Sequence, residues 1–322
     1  MVNIVALLVL ALLAILFGWL AKRAWSAKRA WLKWIGVILA GLLALLFALV
    51  FIVGVIGFAK LDLPQSNPVE DVKVAGTPDQ IARGQKIAMV CTACHSTTGG
   101  LPLDGGTRNF VGPLGTVVAP NLTPGGPLKD WSDGEIIRAI REGIAKDGRT
   151  LIVMPADQFH NMSDADVQAV VAYLRSQPAV KHDTPTNGLS PLGMLLVGAG
   201  IFSTSAQAPI TQPVVAPPAG VTADYGKYLV GISGCHACHG ADLAGGTPGG
   251  FTPVGPNLTA IVPKWSQSDF IKTIRTGVDP TGHALAPDQM PWKLFNAMYT
   301  DDELGAIYTY LHSLTLIVKP AK

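Results

Sequence analysis

The 322-residue chain holds four cysteines, in two pairs each followed by a histidine: Cys91-Thr-Ala-Cys94-His95 and Cys235-His-Ala-Cys238-His239. Two thiols three residues apart share one helical turn and can add to both vinyl groups of a porphyrin. The next residue then turns its imidazole toward the iron from the same face. C-x-x-C-H is therefore a covalent haem attachment signature, and two copies imply two covalently bound haem c groups. Similar spacings serve other chemistries. A structural zinc site would bring two C-x-x-C pairs together, but these lie about 140 residues apart, far beyond finger spacing. A thioredoxin-like redox pair wants a βαβ surround, and none is patterned here.

What surrounds the two motifs repeats. After the first come Ala119-Pro120-Asn121-Leu122-Thr123, then Trp131, Arg141, Gly143, Met154-Pro155 and Tyr173-Leu174. After the second come Gly255-Pro256-Asn257-Leu258-Thr259, Trp265, Arg275, Gly277, Met290-Pro291 and Tyr310-Leu311. This is an internal duplication with its length differences in loops. Each copy closes on a helix capped by Ser163 or Thr300, with apolar residues at i, i+3, i+4 and i+7 (Val167, Val170, Val171, Leu174; Leu304, Ile307, Tyr308, Leu311). A middle helix follows each Trp, capped by Ser132 with Glu135 and by Ser266 with Asp269. A first helix runs into each motif, around Gly84–Val90 and Gly226–Ile232.

A bound iron needs a sixth ligand, and a His/Met pair suits electron transfer whereas an open site favours chemistry. His95 and His239 are the expected proximal metal ligands. Met154 and Met290, each followed by proline, are the expected distal ones. Met162 and Met298 also correspond, but each stands just before a helix cap, where a staple residue belongs. Met89 and Met194 have no counterparts and read as packing. His160, His182, His283 and His312 are unpaired between copies, and His236 lies inside the motif; all read as surface or interface residues.

The elements that carry these sites are tethered. Residues 2–20 run nineteen positions without a charge and residues 35–59 twenty-five, each enough for a hydrocarbon core of about 30 Å. Between them lie Lys22, Arg23, Lys28, Arg29 and Lys33, with Trp25, Trp31 and Trp34. Basic residues on a short loop place it on the cytoplasmic side, and indoles favour the headgroup level. The expectation is an uncleaved transmembrane hairpin in the cytoplasmic (inner) membrane, with the haem domains on the periplasmic or extracellular side. Leu189–Phe202 is apolar but too short to span, and reads as a buried or interfacial segment. The remainder, 35–322, holds 19 bases against 22 acids, a net charge of −3. A nucleic-acid binder would show the reverse balance, so that class is excluded. With charged residues at only 14%, against about 25% in soluble domains, a wholly soluble chain is disfavoured too. The expected fold class is all-α: a hairpin (1–60), a linker (61–77), a first haem domain (78–180), a second linker with the short apolar segment (181–221) and a second haem domain (222–322).

Both copies resemble class I cytochrome c domains, and the chain resembles membrane-anchored dihaem c-type cytochromes. The first copy is similar to the cytochrome subunits of periplasmic alcohol and aldehyde dehydrogenases over Gly115–Pro124 (GTVVAPNLTP), Trp131–Gly143 (WSDGEIIRAIREG) and Met154–Ser176. That resemblance implies that the Pro120 and Pro256 carbonyls accept hydrogen bonds from the proximal histidines. It implies cofactor contacts at Asn121 and Asn257, and haem propionates held by Trp131, Trp265, Arg141 and Arg275. The chain departs from the family in having two haem domains where many such subunits have three, an N-terminal hairpin anchor, and Ala119 where glycine is usual.

The functional expectation is a membrane-tethered dihaem carrier, an electron-transfer subunit rather than a catalyst by itself. It would pass single electrons between a membrane or periplasmic donor and a soluble cytochrome or terminal oxidase, within a respiratory or photosynthetic complex. Its partners would be the lipid bilayer, integral-membrane oxidoreductase subunits, and a soluble electron carrier or periplasmic dehydrogenase. The alternative is a dihaem peroxidase-type enzyme, which needs one open or His-occupied sixth position and a nearby acid or base.

Overall fold

The computed structural model describes residues 2–247 and 253–319. Two long helices come first, α1 (Val2–Ala24) and α2 (Ala30–Asp62), packed as a hairpin. Both are long and apolar enough to cross a membrane. They run further than the charge-free segments alone suggest, so only residues 25–29 connect them. Ala, Lys, Arg and Trp extend a helix at little cost, and the basic stretch joins both helix ends instead of forming a loop. Lys33 sits 3.9 Å over the Trp25 ring and Arg23 5.4 Å from the Trp19 ring, so bases and indoles form one cluster at that end.

The first haem-motif copy contains α3 (Pro78–Ala88), α4 (Thr92–His95), α5 (Asp133–Glu142), α6 (Ala156–Phe159) and α7 (Asp164–Ser176). Next comes α8 (Pro191–Gly198), from the short apolar segment. The second copy contains α9 (Ala223–Ile232), α10 (Cys235–His239), α11 (Leu258–Ile261), α12 (Gln267–Thr276), α13 (Trp292–Met298) and α14 (Asp301–Ser313). The ladder of β1 (Gly115–Thr116) and β2 (Gly188–Leu189) pairs Gly115 with Leu189, antiparallel.

The expected caps are in place: Ser132 with Glu135, Ser266 with Asp269 and Thr300 with Glu303 form reciprocal boxes. Ser163 caps α7, but its Asp166 does not reach back, because that carboxylate is held by Arg83 and Tyr228. In each copy the first and last helices cross at a glycine. A Cβ on Gly84 would collide with Ala169 O on α7, and one on Gly226 with Ala306 O on α14. One continuous hydrophobic cluster runs from Ile87, Val171 and Leu174 through Tyr225 and Leu229 to Leu304 and Leu311, so the two copies share a core.

Segments between these units are packed. Asn67 donates to Glu142 Oε2 at 2.6 Å, and Val74 N–H to Asp133 Oδ2 at 2.9 Å, which lays residues 67–74 along α5. After α8 the chain returns over the same copy: Ser205 N–H donates to Leu151 O and Asp164 N–H to Val214 O, both 2.9 Å. The apolar segment docks on the hairpin. Gly57 of α2 lies against Met194 O and Gly198 against Val53 O, so closely that neither position has room for a side chain.

Candidate haem attachment sites

Each C-x-x-C-H run follows the end of its copy's first helix. Cys91 lies in a 3-10 turn with Thr92–His95 helical behind it, and Cys235–His239 form one helical turn after left-handed Gly234 (φ 80°). Burial pushes the Cys91 and Cys235 thiols up to about 12, and raises Cys94 as well. They are neutral groups in apolar surroundings, suited to becoming uncharged thioethers. Among the described residues, no three His, Cys, Asp or Glu converge as a metal-holding cluster, so the two cysteine pairs do not form one zinc site.

The histidines are oriented identically. His95 Nδ1 lies 2.8 Å from Pro120 O, and His239 Nδ1 2.8 Å from Pro256 O. A carbonyl can only accept, so Nδ1 carries the proton and Nε2 keeps its lone pair. Burial lowers both imidazole pKa values against the raising effect of these bonds, and His236 lowers His239 further. A neutral imidazole with a free Nε2, its other nitrogen held by a carbonyl, is the arrangement an axial metal ligand needs. Together with the cysteine pair beside each of them, these donors fit covalent haem c.

The other expected residues fall into two groups. Met154 and Met290 are half-buried against the shared core, whereas Met162 and Met298 are almost wholly enclosed, at 1% and 2% exposure. Trp131 and Trp265 are half-buried too. Their carbonyls accept bonds from the last helix of their copy, from Arg175 and from Tyr308. The remaining groups carry structural bonds that the sequence did not announce. Asn121 Nδ2 donates to Val180 O, and Asn257 Nδ2 to Ile317 O, both 2.8 Å. The neighbouring hydroxyls complete each latch: Val180 N–H donates to Thr123 Oγ1 and Ile317 N–H to Thr259 Oγ1. In both copies, then, the Pro-Asn-Leu-Thr loop orients the histidine with its proline carbonyl and straps the chain leaving the last helix.

Arg141 and Arg275 do parallel work. Arg141, 2% exposed, donates to Met162 O and pairs with Asp164 and Glu70. Arg275 donates to Asn296 O and Tyr299 O and pairs with Asp301. Both brace the segment between the Met-Pro sequence and the last helix. Among the described residues, buried Arg141 Nε has no hydrogen-bond partner.

Sequence reading missed the junction between copies. Arg83 pairs with Asp166 of its own copy at 2.9 Å and with Glu303 of the other at 2.8 Å. Tyr228 donates to Asp166 Oδ2 at 2.6 Å. Burial works against the Arg83 charge, but Asp166 and Glu303 outweigh it and hold its pKa above the ordinary value. The rest of the junction is reciprocal. The α6 that follows Met154-Pro155 packs on α9, with Gln158 donating to Ile232 O; the α13 that follows Met290-Pro291 packs on α3 and the Met89–Cys91 turn. Asp166 and Glu303 occupy the same helical position in the duplication, a signal present in the sequence. Arg83 has no counterpart and left none.

The pattern of the cytochrome c family matches residues 81–178 and 223–315, over half of the chain. The chain belongs to the cytochrome c family. It is 30% identical over 305 residues to the gluconate 2-dehydrogenase cytochrome c subunit of Pantoea cypripedii, covering 83% of this chain and 64% of that one. It is 31% identical over 282 residues to the cytochrome c subunit of alcohol dehydrogenase (quinone) of Gluconacetobacter polyoxogenes, covering 75% and 58%. It is 32% identical over 256 residues to a nicotinate dehydrogenase subunit of Pseudomonas putida, covering 73% and 21%. The chain thus spans less than two thirds of the length of these relatives. Membership of the cytochrome c family implies electron transfer, and the two apolar helices fit membrane anchoring.

Proposed function

We propose that the chain is a membrane-tethered dihaem cytochrome c. It would transfer single electrons between a membrane or periplasmic dehydrogenase-type donor and a soluble cytochrome or terminal oxidase. The observation that carries this reading is the twofold occurrence of one donor set, a cysteine pair and a histidine held on a proline carbonyl, in copies that share a core and a reciprocal junction. When bound, the two groups supply one-electron exchange between ferrous and ferric iron.

The chain's own residues do the rest. Cys91 and Cys94 attach one haem, and Cys235 and Cys238 the other. His95 and His239 ligate through Nε2 while Pro120 and Pro256 hold the rings. Met154 and Met290 would supply a thioether sulfur to the iron, a pairing with histidine that favours electron transfer over chemistry there. Trp131 and Trp265 would hold the propionates. Asn121, Asn257, Arg141 and Arg275 keep the surrounding loops in place. The hairpin lies in the cytoplasmic membrane with the haem domains on its outer side, following the basic residues between the helices. The relatives' names support a dehydrogenase complex as donor and give no support to a peroxidase.

The test is to mix the reduced, detergent-purified protein with oxidised soluble cytochrome c and, separately, with hydrogen peroxide. Rapid one-electron oxidation by the cytochrome with no peroxide turnover is expected. Sustained peroxide consumption without oxidation by the cytochrome would overturn the proposal.

A further inference from the structure

The two copies reach their Met-Pro sequences by different routes between matching fixed points. Leu151 N–H donates to Gly143 O and Leu285 N–H to Gly277 O, each at 2.7 Å. Beyond the methionine, Ala156 N–H closes on Met154 O at 2.8 Å and Trp292 N–H on Met290 O at 2.7 Å. Between Leu285 and Met290 there are four residues; between Leu151 and Met154 only two. The longer segment turns on itself, with Gln289 and Met290 N–H both donating to Ala286 O. The shorter one contains Val153 at φ 68°. A β-branched residue rarely takes that conformation, because its Cβ crowds the backbone.

Val153 is held there by packing. Ile152 and Val153 lie against a second hydrophobic cluster, in which Val111, Val117 and Leu189 join Leu7 of α1, Leu61 of α2, and Met194 and Val197 of α8. Met194 is fully enclosed, and α8 is seated on Gly54 and Gly57 of α2. Leu151 O is also tied to Ser205 N–H, just past α8. In the second copy the corresponding Gln289 is exposed.

We propose that the membrane anchor positions the distal methionine of the first haem site. The outer end of the hairpin and α8 hold Val153 in its left-handed turn, and Val153 is thereby a positioning residue for Met154. The second site is free of this control. The inference rests on the reading of Met154 as a ligand, and its test separates the two.

Full-length holoprotein in detergent is titrated with imidazole while the methionine–ferric charge-transfer band and the midpoint potential of each centre are followed. Met154→Ala should remove half of the band. Met194→Ala, which empties the centre of the cluster, should raise the imidazole affinity of one centre about tenfold and lower its potential, as expected when methionine ligation weakens. The other centre should not change. Val153→Gly, which accepts the turn without the packing, should keep the band by itself and, added to Met194→Ala, return the affinity to near the parent value. If Met194→Ala fails to take up haem, Val197→Ala gives the same comparison with a smaller deletion. Both centres shifting equally, neither shifting, or no rescue by Val153→Gly would overturn the anchor inference. A full band in Met154→Ala would overturn the ligand reading itself.

Discussion

Around His239 the room for the imidazole is made by Gly255, where a Cβ would stand 2.6 Å from Nδ1 and 2.8 Å from Cε1. The first copy carries Ala119 at the matching place and still holds His95 on Pro120 O. The copies therefore differ in tolerance at this one position. Gly255→Ala should force the ring off Pro256 O, and losing such a partner costs about 10–100-fold in ligand affinity. The expected outcome is displacement of His239 by external ligand or acid at least about tenfold more readily, seen in the Soret band of that centre alone. Ala119→Gly should leave the other centre unchanged. The donors themselves were legible, because cysteine, histidine and their spacing are tied directly to the chemistry. The roles of Asn121, Asn257, Arg141 and Arg275 were not. A repeated short amide or a repeated arginine fits a cofactor contact and a loop brace equally well. The brace depends on which distant carbonyl, such as Val180 O or Ile317 O, comes back to meet it.

Helices and caps read well from sequence wherever periodicity and an N-cap coincide, as at Ser132, Ser266 and Thr300. Boundaries are less legible where residues have no local reason to stop, as in the basic stretch that extends α1 and α2. The length and apolarity of Leu189–Phe202 mark it as buried or interfacial, but its seat on α2 is not visible in the sequence. Glycines inside an apolar run carry no label for the partner they admit. The turn at Val153 is equally hidden, since valine is the last residue that local propensity would choose for it. Where the first and last helices cross, the packing gives a sharp expectation. Gly84→Ala or Gly226→Ala drives a methyl into a backbone carbonyl of the facing helix, and overpacking of this kind costs about 1–3 kcal/mol. Urea denaturation followed by tryptophan fluorescence should show that loss in the altered copy, with the haem spectrum before unfolding unchanged. An unaltered midpoint would mean that the crossing is looser than described.

Across the whole molecule, three contacts bind the parts into one device. The hairpin grips the first copy through α8 and the loop before Met154. The connecting segments wrap that same copy. The two copies meet through Arg83, Asp166, Glu303 and Tyr228, where one half-buried cation is shared by carboxylates from both sides. Removing one carboxylate would leave the Arg83 charge with a single acidic partner, so the pair of contacts favours this mutual orientation. The reciprocal packing of α6 on α9 and α13 on α3 sets each attachment turn beside the helix that follows the other copy's Met-Pro sequence. This organisation supports the proposed two-centre carrier held at a membrane surface. The most direct test of that claim is a redox-poised optical and EPR titration of the detergent-purified chain. Two one-electron, low-spin centres, each with a methionine–ferric charge-transfer band, are the predicted result. A single centre, or one that is high-spin or bis-histidine ligated, would contradict it.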